Sequence, residues 1–325
     1  MHPLWAVEGG RITIRGEFSI SDGRVPSVTI GEHAARVVYA SREALAAIVP
    51  ADLPGGRTPI RVGGIAGETA FVEVGRIIAT GVHQVDNPVF GPDGTLYVTF
   101  SGSRGQETPV SIFRVRKEGI REPFVRSIVN PTSMAFDPAG VLHVSSRFEG
   151  TIYRVAPDGR SEVVATDLGI ATGLAFGRAG ELYVGDRSGT IFKVAGDAAF
   201  AVATLPESVA AFHLAFGPDD ALYVTAPTLS SYDAVFRVSL DGHVDRIHAG
   251  FGRPQGLTFD SSGDLYVVEA LSGVAGLYRL RAGHAPERVL AAPTLVGVAI
   301  DPEGGLVVAS NETVYRLDVS LRPAR

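Results

Sequence analysis

The chain is organised by one short apolar pattern that recurs six times. In each copy an apolar run ends on Phe or Ile, a turn residue follows four positions later, and a second apolar run starts at Leu and continues to Val. The copies are marked by Phe90, Phe136, Phe176, Phe216, Phe259 and Ile300. These positions are 40 to 46 residues apart, and a period of this length is typical of the blades of a β-propeller.

The residues within one copy predict four antiparallel strands. The turn residue is Gly in five copies and Asp220 in the other, and both types tolerate the positive φ of a tight hairpin. A third strand follows with an apolar, aromatic, basic, apolar signature, as in Ile152-Tyr153-Arg154-Val155. Ser161-Glu162-Val163-Val164-Ala165 supplies a fourth. The pattern therefore predicts an all-β, six-bladed propeller with four-stranded blades.

The last copy lacks its outer strand, because few residues follow Leu317 and they include Pro323. A matching segment, Ile77-Ile78-Ala79-Thr80, precedes the first copy and resembles Val163-Val164-Ala165-Thr166. We expect this strand, near residues 76–80, to pair with the last copy and to close the ring, which would remove an unpaired edge.

The first 74 residues carry no copy of this pattern. They contain short apolar stretches separated by Gly, Pro and Asp, the arrangement expected of a small β-sandwich. We therefore predict two domains: an immunoglobulin-like sandwich over 1–74, docked on a propeller over 75–325.

Composition narrows the function classes. The formal net charge is −6 and the pI is about 5.8, so nucleic acid and membrane surfaces are poor partners. Cys is absent, which excludes disulfides, thiolate metal sites and Cys nucleophiles. The sequence as written shows no signal peptide, so the expected location is the cytoplasm, or outside the cell if a leader was removed.

Two family resemblances rest on these residues. The segment Gly9-Gly10-Arg11-Ile12-Thr13-Ile14-Arg15-Gly16-Glu17-Phe18, with Leu53-Pro54-Gly55-Gly56, resembles the IPT/TIG domain. The repeated Gly-Leu-Ala-Phe, Asp-Pro-x-Gly and Leu-Tyr-Val motifs resemble the NHL-repeat and senescence-marker/gluconolactonase propellers. The second resemblance implies a six-bladed fold shared by metal-dependent lactonases, other enzymes and binding platforms.

Candidate site residues follow from the alternation of antiparallel strands. The loop that leads into each first strand and the loop that leaves each second strand lie at one end of the channel, its mouth. The candidate site residues in those loops are Asp86, Asn87, Thr132, Arg147, Thr172, Asp186, Arg187, His213, Gln255 and Glu269, and Ser146, Ser310 and Asn311 lie beside them. Each also has a structural interpretation: Asp86 as a turn residue, His213 as a partly buried side chain, and Asp186 and Glu269 as ion-pair partners of Arg187 or Arg147.

The resemblance to the lactonases implies one divalent cation, Ca²⁺ or another, at the mouth. Asp86 falls on the Glu of the family's Glu-Gly-Pro-Val-Trp motif, and Gln255 falls on its Asp ligand. Phe212 falls on its Asn ligand and offers no lone pair, so the resemblance implies at most a degenerate site held by Asp86 and Gln255.

The sequence leaves two main functions open. One is a small-molecule site at the mouth, with lactone or ester hydrolysis carried by Asp86, Glu269 and His213. The alternative is a non-catalytic propeller that presents a face to a protein or glycan. An RNA platform ranks last, because the net charge opposes it. The loop from Thr99 to Ser111 is either a lid or a permissive insertion.

Overall fold

A computed structural model describes residues 1–20, 25–64, 69–116, 119–196, 198–271 and 273–321. These residues form strands and connections, and none of them belongs to a helix long and apolar enough to cross a membrane.

Seven short strands precede the repeats. They are β1 (Trp5–Ala6), β2 (Arg11–Arg15), β3 (Val28–Ile30), β4 (His33–Ala40), β5 (Ala44–Ile48), β6 (Gly56–Val62) and β7 (Ala70–Val74). The long strand β4 pairs with β3 at its start and with β5 further along, so β2–β5–β4 continues into β3–β6–β7. Their apolar side chains share one buried cluster, which includes Ile12, Leu45 and Val72.

The repeats form antiparallel meanders, which we number as units 1 to 6. After β8 (Arg76–Thr80), unit 1 contains β9 (Val89–Phe90), β10 (Leu96–Thr99), β11 (Ile112–Val115) and β12 (Arg121–Val125). Unit 2 contains β13 (Pro131–Phe136), β14 (Leu142–Ser146), β15 (Thr151–Val155) and β16 (Ser161–Ala165). Unit 3 contains β17 (Ala171–Phe176), β18 (Leu182–Asp186), β19 (Thr190–Ala195) and β20 (Ala198–Thr204).

The remaining units have the same order. Unit 4 contains β21 (His213–Phe216), β22 (Leu222–Thr225), β23 (Asp233–Val238) and β24 (Val244–Phe251). Unit 5 contains β25 (Pro254–Phe259), β26 (Leu265–Glu269), β27 (Gly276–Leu280) and β28 (Glu287–Ala291). Unit 6 contains β29 (Gly297–Ile300), β30 (Gly305–Ala309) and β31 (Thr313–Ser320).

The repeated residues mark the strand ends. Every first strand ends on the repeated Phe or Ile, and the turn residue that follows has positive φ, from 57° at Asp220 to 87° at Gly180. The hairpin prediction, including the substitution of Asp for Gly in unit 4, is confirmed.

Apolar side chains fill the spaces between successive units. Separate buried clusters join unit 1 to 2, 2 to 3, 3 to 4, 4 to 5 and 5 to 6, and a further cluster joins unit 6 to unit 1. Edge-to-face ring contacts accompany four of these junctions; Tyr183, for example, meets Phe216 with ring centroids 5.2 Å apart. Such pairs add about 0.5–1.5 kcal/mol beyond burial.

The predicted closing strand is confirmed. Strand β8 pairs antiparallel with β31, with Ile77 opposite Tyr315 and Ala79 opposite Val314. The start of the repeat region therefore supplies the outer strand of unit 6.

The prediction of six separate four-stranded sheets is wrong for one of the six units. Five sheets have four strands, whereas the strands of unit 5 form one end of an 11-stranded sheet. The link is β1, a strand that the sequence pattern does not predict; it pairs in parallel with β28 on one side and with β7 on the other. An open outer edge of unit 5 is thereby covered by the N-terminal strands.

Candidate functional site at the channel mouth

All six units contribute to one cavity at the predicted mouth. Its volume is about 290 Å³. It is lined by His83, Gln84, Val85, Arg147, Ile170, Thr172, Arg187, Val209, Ala210, Ala211, Arg253, Gln255, Val296 and Asn311. Loops that are far apart in the sequence thus meet around a single space, because the closed arrangement of units brings their ends together.

Three arginines dominate the charge of this cavity. Arg147 and Arg187 follow the second strands of units 2 and 3, and Arg253 precedes the first strand of unit 5. The described lining contains no Asp or Glu. The ion pairs found among the described residues involve none of the three.

The crowding of positive charge affects two groups. Burial lowers the pKa of Arg147 below its usual value, and the charges of Arg187 and Arg104 lower it further. Burial also lowers the pKa of His83, and Arg147 adds to that effect. His83 therefore loses its proton more readily than a free histidine.

Below the cavity lies a buried polar layer formed by Asp86, His213 and Gln255. His213 Nδ1 lies 2.6 Å from Asp86 Oδ1, and Nε2 lies 3.2 Å from Gln255 Oε1. The His213 side chain is 0% exposed and that of Asp86 is 4% exposed. We call these three residues the central layer. It joins units 4 and 5 to the loop that leads into unit 1.

The central layer is held in place by backbone hydrogen bonds. Asp86 Oδ1 also accepts from the Asn87 amide (2.7 Å), and Gln84 Nε2 donates to the Asp86 carbonyl (2.8 Å). Asn87 Nδ2 donates to the Leu257 carbonyl (2.9 Å), while the Val298 amide donates to Asn87 Oδ1 (2.9 Å). Asn87 therefore links units 5 and 6 through hydrogen bonds, and it does not line the mouth cavity.

The two predicted carboxylates of the exit loops face neither the cavity nor an arginine. Asp186 Oδ1 accepts from the amides of Ile170 (2.8 Å) and Ser188 (3.2 Å). Glu269 accepts from the amides of Gly252 (2.7 Å), Arg253 (2.9 Å) and Leu271 (2.6 Å). The predicted pairing with Arg147 or Arg187 is wrong, because the loop amides occupy both carboxylates.

Of the two predicted threonines, one lines the cavity and the other does not. Thr172 lines the cavity floor, where its hydroxyl donates to the Gly185 carbonyl (3.2 Å) and accepts from the Phe212 amide (3.0 Å). Thr132 is fully buried and donates to the Asn130 carbonyl (3.1 Å), so it does not line the cavity.

These residues do not fit the divalent cation that the resemblance implies. Asp86 Oδ1 and Gln255 Oε1 both face the His213 ring, and Phe212 is fully buried in the apolar cluster between units 3 and 4. In the described residues no three His, Asp or Glu side chains come together to hold a metal. A hard cation needs several converging oxygens, and here they do not converge.

Asn130, which is not among the predicted site residues, holds the loop of unit 1 against the mouth. Asn130 Nδ2 donates to the carbonyls of Ser101 and Ser103, and Asn130 Oδ1 accepts from the Gly105 amide (2.6 Å). Arg147 donates to the Gly102 carbonyl (3.2 Å). The φ of Asn130 is positive, 47°, a conformation that Asn tolerates better than most residue types.

Other cavities lie away from the mouth. A groove of about 600 Å³ runs between the N-terminal strands and residues 293–295. A space of about 500 Å³ at the opposite end of the channel is lined by the first strands of the units and by Asp86. Because Asp86 borders this space and Gln255 borders the mouth, the central layer separates the two ends of the channel.

Compared by sequence, the chain matches no protein-family model and no curated protein. Compared by structure, it is similar to a gluconolactonase from Xanthomonas campestris, with a TM-score of 0.64 and 15% identity over 90% of this chain and 97% of that one. The chain has a β-propeller fold. It is also similar to virginiamycin B lyase from Staphylococcus aureus, with a TM-score of 0.56 and 15% identity over 95% of this propeller and 99% of the lyase.

The chain is also similar in structure to a nutrient-binding propeller. The similarity to an auxiliary nutrient binding protein from Bacteroides ovatus has a TM-score of 0.53 and 14% identity, over 97% of this chain and 96% of that one. Identities this low show the fold alone, since propellers with different activities share it. The IPT/TIG resemblance of the N-terminal strands stays a prediction.

Proposed function

We propose that the chain is a small-molecule-binding β-propeller whose ligand occupies the mouth cavity. The observation that carries the proposal is the convergence of loops from all six units on one partly polar space of about 290 Å³. This volume is at the small end of the range for ligand pockets. The ligand-binding character of structurally similar propellers is in keeping with this function.

The proposal includes the number of blades. We take β25–β28 as the sixth blade of a propeller that spans 75–325, because apolar clusters join unit 5 to both of its neighbours. We likewise propose that residues 1–74 are a separate immunoglobulin-like domain, joined to this blade through β1.

A screen of the full chain tests the location of the site. Thermal unfolding is measured with a library of sugars, sugar acids, lactones and small peptides, and each stabilising compound is then measured by calorimetry. Ala210→Trp fills the mouth cavity and should abolish binding. Ala34→Trp, in the groove beside residues 293–295, is the matched control and should leave binding unchanged. Binding that is lost in Ala34→Trp but kept in Ala210→Trp would contradict the proposal.

One observation favours hydrolysis as a second candidate. The close Asp86–His213 pair resembles an acid–base dyad in geometry, and Gln255 separates it from the cavity. Turnover of lactones or esters that is lost in His213→Gln, while the variant remains folded, would favour this candidate. A calcium titration in the same assays tests the predicted cation, for which the arrangement of the residues gives no support.

A further inference from the structure

The charge of the mouth cavity is opposite to that of the chain as a whole. The chain has a formal net charge of −6, yet its mouth contains three arginines and no lining carboxylate among the described residues. Elsewhere, some half-buried arginines have acidic partners: Arg237 pairs with Asp219 (2.8 Å), and Arg316 pairs with Asp301 (3.2 Å). Arg114 makes no ion pair among the described residues, and its guanidinium lies over the Phe124 ring instead. The mouth arginines are distinguished by their number, because three of them line one cavity.

The three guanidinium groups keep donors for a ligand. Arg187 donates through Nε to the Ser208 carbonyl (2.9 Å) and through a terminal nitrogen to the Val209 carbonyl (2.9 Å). Arg147 uses one terminal nitrogen for Gly102. The side chain of Arg253 makes no hydrogen bond within the described residues. A guanidinium has five N–H donors. The bonds named above orient Arg147 and Arg187, and each of the three groups still has N–H donors for a ligand.

Like charges that line one cavity repel one another: burial lowers the pKa of Arg147, and the charge of Arg187 lowers it further. The repulsion is relieved when an anion enters, because a carboxylate or another oxyanion accepts paired N–H bonds from a guanidinium fork. A concave site lined by charge of one sign also focuses the field on that anion.

We infer that the mouth cavity selects small organic anions and holds their carboxylate, or a comparable oxyanion, between Arg147, Arg187 and Arg253. The inference rests on the proposed function, since it names the class of ligand for the same cavity. Gln255 and Asn311, which also line the space, are available to the neutral part of the ligand.

Matched compounds test the inference on the full chain by calorimetry. The pairs are succinate with succinamide, benzoate with benzamide, and galacturonate with galactose, and inorganic phosphate is tested separately as a non-carboxylate oxyanion. At least one anion should bind about tenfold or more tightly than its neutral partner. Its affinity should fall as sodium chloride is raised from about 0.05 to 0.5 M.

Variants assign the effect to the mouth. Arg253→Gln and Arg147→Gln should each weaken binding of the preferred anion about tenfold. Thermal unfolding should be unchanged in Arg253→Gln, whereas Arg147→Gln also loses the hydrogen bond to the Gly102 carbonyl and should unfold at a slightly lower temperature. Arg178→Gln is the control, because Arg178 lies in the turn after β17 at the other end of the channel and pairs with Asp220 (3.1 Å). Arg187 is left intact, since its bonds to residues 208 and 209 hold the rim.

Four outcomes separate the possibilities. Selective anion binding that is lost in the two mouth variants and kept in Arg178→Gln supports the inference. An equal loss in Arg178→Gln overturns it. Equal affinity for neutral partners, abolished by Ala210→Trp, overturns the anion class and leaves the mouth as the binding site. Failure of every compound, together with an empty library screen, overturns the proposed function as well.

Discussion

The two ends of the channel are built from different kinds of connection. At the end opposite the mouth, the turns between first and second strands are alike: Asp137 and Asp301 each accept two loop amides, and a residue with positive φ follows. At the mouth, the loops after the second strands differ in length, from 187–189 in unit 3 to 100–111 in unit 1. The repeated turns therefore build the scaffold, while the unlike loops supply side chains that line the mouth cavity.

The central layer lies between these ends, and breaking it should have the largest effect on stability. Asp86→Ala leaves the fully buried His213 ring without its carboxylate partner, so we expect a loss of about 3 kcal/mol in the free energy of unfolding. Urea denaturation measures this loss. Asp93→Ala, which removes an exposed turn carboxylate, is the control and should cost about 1 kcal/mol or less. Similar losses in the two variants would contradict a structural role for the layer.

A smaller effect is expected at the repeated turn of unit 1. Gly94 has a φ of 77° and open space around the position of a Cβ, so Gly94→Ala is penalised by backbone conformation alone. The expected loss is about 1–2 kcal/mol, measured by urea denaturation. Gly94→Asp should lose less, because Asp220 occupies the equivalent turn of unit 4 with a φ of 57°. Equal losses for Ala and Asp would show that the turns are not equivalent.

The smallest effect concerns pH and the junction between units 2 and 3. Burial lowers the pKa of His143 from its ordinary value, so the unfolded chain binds the proton more tightly than the folded one. Its contribution to stability is complete above about pH 6.5 and is lost as the pH falls through the lower folded pKa. His143→Tyr introduces the residue found at the equivalent positions Tyr97 and Tyr183.

The measurement is the midpoint of thermal unfolding at pH 7.5 and at pH 5. The difference between the two midpoints should be smaller in His143→Tyr than in the unmodified chain. Tyr should also keep the edge-to-face contact with Phe176, so stability at pH 7.5 should be preserved. If the two chains show the same difference between midpoints, His143 does not cause the acid sensitivity. His83 and His248 are then the next candidates, because burial also lowers their pKa values.

Much of the scaffold was predictable because it depends on local patterns. The repeated Phe positions end the first strands, the turn residues have positive φ, and the strand near residues 76–80 pairs with the last unit as expected. The short strand β1 was not predictable, because two residues such as Trp5 and Ala6 carry no period and take their partners from β7 and β28.

The repeat, the hairpins and the closing strand follow from the sequence, because each depends on residues a few positions apart or on the same pattern repeated. Which side chains meet at the mouth depends on the tertiary structure. Asp86 and His213 are 127 positions apart, and Arg253 joins Arg147 and Arg187 only when the ends of the units are brought together. Loop amides donate to Asp186 and Glu269, so among the described residues neither carboxylate pairs with an arginine of the mouth. Such pairings depend on the closure of the whole molecule and on the direction of single side chains, which the periodicity of a strand does not specify.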